Sequence, residues 1–262
     1  MTSRLLSAEK KDVPYQVASL ESSQQLGIFA CGSYVLNKES GHRSGQITLC
    51  DASGEVLKQS SPELAGVLDM KWRHDSTLAV ASADGSLTVY DTHLGDADTP
   101  ITNVASDTSP EEGLYLSLDA CSRNIVVSTQ NGSILSYSVG DGNCRLSDKK
   151  TGAHCLFGEN VPAWIVAKSR FSTDLICSGG DDMVIRLWDL RCLGAPTAAA
   201  SKTHTAGVTS AMFSPSCEHL LAVGSYDEHI SIWDIRNMRK EVGDIHAGGY
   251  NNKHCNFYAR DM

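Results

Sequence analysis

No stretch of this 262-residue chain approaches the run of about 18 apolar residues that a membrane span needs. The opening residues M-T-S-R-L-L-S-A-E-K-K-D contain no apolar core long enough for a secretory signal, so the protein is expected to be cytoplasmic and not membrane-bound. Basic residues are in the minority, 22 Lys and Arg against 31 Asp and Glu. The resulting net charge of −9 leaves no basic stripe of the kind that binds a nucleic-acid backbone. An acidic surface of this kind most simply keeps a protein soluble. The nine cysteines are scattered singly with no C-x-x-C, which reads as small apolar core residues or free thiols in a reducing compartment. Local signatures of hydrolytic chemistry are missing as well: no G-x-S-x-G elbow, no H-E-x-x-H and no paired histidines of metal-binding spacing. No metal site is therefore expected.

What the chain has instead is a repeated hairpin. From Val223 to Arg236 it reads V-G-S-Y-D-E-H-I-S-I-W-D-I-R, two β-branched segments joined by a Gly/Ser/Asp turn and closed by Trp-Asp. The same distance between turn residue and aromatic recurs four times. Asp84 precedes Tyr90, Asn131 precedes Tyr137, Asp182 precedes Trp188 and Asp227 precedes Trp233, each by six positions. The positions closing five units, Asp51, Asp91, Ser138, Asp189 and Asp234, follow one another at 40, 47, 51 and 45 residues. A Trp-Asp signature at a period of roughly 40–45 residues specifies a WD40-type propeller of four-stranded blades. The fold expected is all-β, with five recognisable blades in a ring that could be incomplete.

Residues 1–12 are polar and expected to be flexible, 13–247 form the propeller, and 248–262 carry no pattern. The five units fall at about 15–56, 64–96, 112–142, 160–192 and 205–241. In the first, a polar insertion from Asn37 to Gly45 separates two strands. The pattern stops after Glu241, as it would in a chain shortened at that end. In two inner segments, Leu68, Met70 and Trp72, and then Leu114, Leu116 and Leu118, alternate at period two and are expected on one face. His154 and His204 precede the fourth and fifth units, where a WD repeat carries a histidine. There an imidazole, the turn Asp and the strand Trp join through a hydroxyl, because a buried carboxylate needs donors. His204, Asp84, Asp182, Asp227, Trp188 and Trp233 are thus read as structural. Seven residues, Cys155 to Val161, lengthen the path from His154 to its strand.

Four segments are more specific than the generic repeat: C-G-S-Y (Cys31 to Tyr34), L-D-M-K-W (Leu68 to Trp72), S-G-G-D-D (Ser178 to Asp182) and G-S-Y-D-E-H-I with W-D-I-R-N-M (Gly224 to Met238). In this order they resemble the diphthine methyl ester hydrolase family, historically called diphthine methyltransferase, over about residues 15 to 247. The resemblance implies a WD-repeat enzyme of diphthamide biosynthesis. Its members remove a methyl ester from methylated diphthine, the modified histidine of translation elongation factor 2, and release methanol without a cofactor. Elongation factor 2 is the implied partner, together with other proteins of that pathway.

Ester hydrolysis needs a nucleophile or base, a proton donor and oxyanion stabilisation. In a propeller these would come from several blades around the central channel. The residue before each turn Asp commonly lies on a binding face, here Ala83, Gln130, Asp181 and Tyr226. The polar members, Asp181 and Tyr226, are catalytic candidates. Glu228 and His229 add a carboxylate beside an imidazole, although neighbours in a strand point to opposite faces. Asp69 and Lys71, opposite the apolar face of their strand, rank lower. Two alternatives stand beside the enzyme: a propeller that docks proteins without chemistry, the common use of the fold, and an inactive shortened variant.

Overall fold

The computed structural model describes residues 16–23, 26–61, 64–74, 76–93, 101–121, 123–140, 142–200 and 203–246. The expectations for residues 1–12 and 248–262 lie outside that set. Blade 1 is formed by β1 (Gln16–Ser23), β2 (Ile28–Leu36), β3 (Arg43–Asp51) and β4 (Val56–Gln59), with a short β5 (Leu64–Ala65) added to β3. Blade 2 comprises β6 (Val67–His74), β7 (Thr77–Ser82), β8 (Ser86–Asp91) and β9 (Thr102–Thr108). Blade 3 comprises β10 (Tyr115–Ala120), β11 (Asn124–Thr129), β12 (Ile134–Gly140) and β13 (Asn143–Lys150). A small hairpin, β14 (Cys155–Leu156) with β15 (Glu159–Asn160), leads into blade 4, made of β16 (Ile165–Lys168), β17 (Leu175–Gly179), β18 (Ile185–Asp189) and β19 (Ala198–Ala200). Blade 5 comprises β20 (Val208–Phe213), β21 (Leu220–Ser225), β22 (His229–Asp234) and β23 (Gly243–His246).

Each blade is an antiparallel meander, and apolar cores sit between neighbouring blades. Ile28, Ala30, Ile47 and Leu49 of blade 1 pack on Val67, Met70, Leu78 and Val80 of blade 2. Leu87 and Val89 meet Tyr115, Ile125 and Val127, and Ile185 and Leu187 meet Val208, Leu221 and Trp233. On the other flank of blade 1, Val17, Leu20, Phe29 and Val35 are exposed. The inner strands β1, β6, β10 and β16 adjoin in turn, as do β16 and β20, whereas among the described residues β20 does not reach β1 in the same way. Among the described residues the ring is open between blades 5 and 1.

Separate sheets share no ladder, so their strands need other polar links. Three aspartates provide them with one geometry. In each, one carboxylate oxygen accepts the next residue's N–H and the other reaches an N–H in the following blade. Asp69 accepts from Met70 N at 2.8 Å and Leu118 N at 2.9 Å. Asp119 accepts from Ala120 N at 2.8 Å and Lys168 N at 2.7 Å. Asp107 repeats the arrangement between outer strands, with Thr108 N and Leu146 N both at 2.9 Å.

Several sequence expectations are corrected. Leu68 does not share a face with Met70, because a β-bulge between Val67 and Asp69 shifts the phase by one residue. Met70 is core while Leu68 lines the central channel. A bulge between Tyr115 and Ser117 likewise makes Tyr115 and Leu118 core and leaves Leu116 on the channel. The polar insertion of blade 1 is shorter than expected. Pairing of Leu36 with Arg43 leaves a six-residue turn that Asn37 closes by accepting from Glu39 N at 2.9 Å and Ser40 N at 3.1 Å. Blade 5 also continues past Glu241. Its outer strand Gly243–His246 pairs with His229–Ile232 although its sequence barely alternates, since an edge strand has little to bury.

The carboxylate links predict unequal costs. Asp69→Ala leaves Leu118 N–H and Ser117 Oγ without their acceptor and should cost about 1–3 kcal/mol in urea unfolding. Asp84→Ala, at an exposed turn, should stay within about 0.5 kcal/mol of the parent. Equal losses would contradict the assigned role of Asp69.

Candidate functional site

The turn aspartates of blades 4 and 5 build the expected buried chains. His154 Nδ1 lies 2.8 Å from Asp182 Oδ1, its Nε2 2.8 Å from Ser178 Oγ, and Trp188 Nε1 donates to that hydroxyl at 2.8 Å. Asp182 Oδ2 meets Arg186 Nη1 at 2.7 Å. Cys155 to Val161 do not displace His154, because the residues fold out as the β14–β15 hairpin and return with Val161 N donating to His154 O at 3.2 Å. The backbone of His154 donates to Gly132 O in blade 3 at 3.0 Å, so this residue ties blades 3 and 4 together.

In blade 5 His204 Nδ1 lies 3.0 Å from Asp227 Oδ2 and its Nε2 2.8 Å from Ser231 Oγ, which accepts from Trp233 Nε1 at 2.8 Å. The hydroxyl has changed strands. Ser178 stands on β17 opposite Arg186, whereas blade 5 has Val223 on β21 opposite Ser231. Asp84 departs from both. It is exposed, and its carboxylate closes its own turn on Ser86 N at 3.1 Å and Ser86 Oγ at 2.6 Å. Blade 3 replaces the chain with two buried phenols, Tyr115 and Tyr137, whose oxygens are 2.7 Å apart.

Burial holds the His154 imidazole below its usual pKa against the pull of Asp182. Burial alone would raise Asp182, but His154 and Arg186 outweigh it and keep the carboxyl below the usual range. With Asp182 ionised and His154 neutral, Nδ1–H donates to the carboxylate and Nε2 accepts from Ser178.

The inner strands surround a cavity of about 1120 Å³ lined by all five blades. On its wall the Lys71 ammonium is ion-paired with Glu21. Lys71 is desolvated, yet the charges of Asp69, Glu21 and Asp119 more than compensate and hold it protonated above the usual lysine range. Burial raises Glu21 despite Lys71, and it raises Asp119 likewise. Ser19 and Ser117 hydroxyls donate to Asp69 at 3.3 and 3.0 Å. Among the described residues no group of three or more His, Cys, Asp or Glu is arranged to hold a metal ion.

The four sequence candidates fall into two places. Tyr226 lines the cavity beside Trp164, and Asp181 stands behind them, bonded to Trp164. Asp181 Oδ1 accepts from Trp164 Nε1 at 2.6 Å, and the Trp164 and Tyr226 rings stand edge to face with centroids 6.5 Å apart. Their equivalence is visible in the backbone, since Ala83, Gln130, Asp181 and Tyr226 each donate to a carbonyl in the segment leading into their blade's inner strand, Gly66, Leu114, Pro162 and Gly207. Glu228 and His229 are elsewhere. Glu228 is an exposed turn residue at φ 68°, and His229 Nδ1 pairs with Asp244 at 3.0 Å on the outer edge of blade 5. They do not form an acid–base pair with Asp181 or Tyr226. Glu21 was not selected from the sequence. Its strand, Q-V-A-S-L-E-S-S, carries no turn signature, and only its place before the first hairpin could have marked it as channel-lining.

These features define a WD-repeat β-propeller. The WD domain, G-beta repeat, matches residues 166–189 and 198–234. A chain in the crystal structure of the Mitotic Checkpoint Complex superposes with a TM-score of 0.70 at 20% identity, covering 94% of this chain and 74% of that one. Among relatives, the diphthine methyltransferase of Mus musculus is 32% identical across 85% of this chain and 52% of its own length. That of Homo sapiens is 33% identical across 85% and 56%. The chain belongs to the diphthine methyltransferase family and spans about half the length of these relatives.

A folded-state pKa below the unfolded value gives stability that is present above the unfolded pKa and lost as pH falls. Folding stability should therefore decline below the unfolded histidine value of about 6.5 as the His154 latch is forced to protonate. Urea titrations at stepped pH should show His154→Asn to be less stable near neutrality but with a flatter slope over that range. Parallel slopes would contradict the neutral latch.

Proposed function

We propose that this chain carries the propeller site of an ester hydrolase of diphthamide biosynthesis, which removes the methyl group of methylated diphthine on translation elongation factor 2 in the cytoplasm. The products are diphthine and methanol. The observation that supports the reading is the Lys71 ammonium held among Glu21, Asp69 and Asp119 on the wall of a cavity open to solvent. Family membership supports the choice of substrate, and the channel residues support the choice of chemistry.

In this reading Glu21, raised by burial and accessible from the cavity, takes a proton from water as the oxygen attacks the acyl carbon. Lys71 stabilises the oxyanion that forms. Collapse of the tetrahedral intermediate breaks the bond to the methoxy oxygen, and that oxygen leaves with the proton from Glu21 as methanol. The acid product then ionises. Asp69 and Asp119 have both oxygens committed to N–H donors, so they serve as fixed negative charge that keeps Lys71 protonated.

Elongation factor 2 carrying methylated diphthine, incubated with the purified chain, should lose the mass of one methylene while methanol accumulates without added cofactor. Lys71→Met should lower the rate by about 10²–10³, the scale of removing one oxyanion donor. Full activity in a folded Lys71→Met variant would sink the assignment.

A further inference from the structure

The tip of the β14–β15 hairpin carries a residue poorly suited to its turn. Cys155 pairs with Asn160 and Leu156 with Glu159, which leaves Phe157 and Gly158 as the two central residues. Both have positive φ, 52° and 90°, as a type I′ turn requires. Glycine or asparagine takes that conformation readily, whereas a bulky side chain at positive φ is strained. Phe157 is also 97% exposed, so burial of its ring offsets none of the strain. The base beneath it is firmly held. His154, whose imidazole lies in the buried chain of blade 4, donates its backbone N–H to Gly132 O at 3.0 Å and accepts from Val161 N at 3.2 Å.

From His154 to Phe157 the chain advances three positions, roughly 10 Å in extended backbone. The returning strand runs through Val161 and Pro162 into Trp164 and Ile165, the first residues of blade 4 on the cavity wall. Pro162 O accepts from Asp181 N at 3.0 Å, so the hairpin is rooted beside the turn of blade 4. Phe157 therefore stands clear of the propeller at the end of the channel where β16 begins. A small molecule inside the cavity does not reach it. A folded protein that delivers one side chain into the channel from this end lays its surface against the ring. An exposed aromatic on a rigid base offers a large apolar area with few rotatable bonds, the profile of an interface anchor. The opposite end of β16 differs. There Phe171 is half exposed in a turn without positive φ, which Ser169 Oγ closes on Phe171 N and Ser172 N, both at 3.2 Å.

We propose that Phe157 is a docking anchor for the protein substrate, which sits on the end of the propeller where β16 begins and receives the Phe157 ring in an apolar pocket on its own surface. Its modified side chain enters the channel from that end. The proposal rests on the ester-hydrolase reading and adds to it a direction of approach and a contact outside the channel. Phe157 is not part of the cavity lining, so it acts on binding and takes no part in the ester chemistry. The tight turn sets the ring in place before the partner arrives, and little freedom is lost on docking.

The test is a calorimetric titration of the folded full chain with elongation factor 2 carrying diphthine, the product form, which is not turned over. Phe157→Asn suits the turn and removes the ring. It should leave the urea midpoint unchanged or raise it, and lower the affinity about tenfold to thirtyfold, the scale of an interface hot spot. Phe157→Tyr, which keeps the ring, should bind like the parent, and so should Phe171→Ala at the other end. In turnover of the methylated protein, Phe157→Asn should raise KM with kcat unchanged. With a short peptide bearing methylated diphthine, parent and variant should not differ. A parent chain that fails to bind the elongation factor would overturn the substrate reading together with this proposal. Parental affinity in Phe157→Asn would overturn the docking anchor alone. A lowered urea midpoint in that variant would make Phe157 a structural residue and overturn the anchor as well.

Discussion

Hydrogen bonds from one blade's inner strand to the carboxylate of the blade before it are the constraint around which this molecule is arranged. Adjacent sheets pack face to face and cannot extend one ladder, so polar groups of the inner strands facing a channel must be paired by side chains. Asp69 and Asp119 do this with the same two-sided geometry, reaching Leu118 N and Lys168 N respectively. The carboxylates thereby concentrate negative charge on the channel wall. Lys71, with Glu21 as its ion-pair partner, balances that charge. The linkage that joins the blades thus also sets the electrostatics of the channel wall.

The blades solve their outer junctions differently. Blades 4 and 5 use imidazole chains, blade 3 uses a pair of buried phenols, and blade 2 has an exposed turn aspartate. Blades 4 and 5 are also the pair that carries Trp164, Asp181 and Tyr226.

The hairpins were legible in the sequence because a turn residue and an aromatic six positions apart fix one loop conformation and one buried position. His154 and His204 were legible for the same reason. Three things were not. β-bulges at Val67/Asp69 and Tyr115/Ser117 break strict alternation, so period two misassigned Leu68 and Leu116. The move of the hydroxyl from β17 in blade 4 to β22 in blade 5 preserves a bond while changing the strand that supplies it. Glu21, Asp69, Lys71 and Asp119 come from three blades and converge only when the inner strands meet, so no local motif announces them. Conversely, Glu228 and His229, adjacent in sequence and chemically suggestive, are separated from the channel by the turn that carries them.

In the proposed reaction water attacks an acyl carbon in this channel, rather than a methyl group being passed to an acceptor. Turnover of methylated diphthine on elongation factor 2 in water enriched in heavy oxygen tests it most directly. The account predicts the heavy atom in the diphthine carboxylate and methanol carrying ordinary oxygen. Heavy methanol, or a methyl group transferred intact to another molecule, would contradict it.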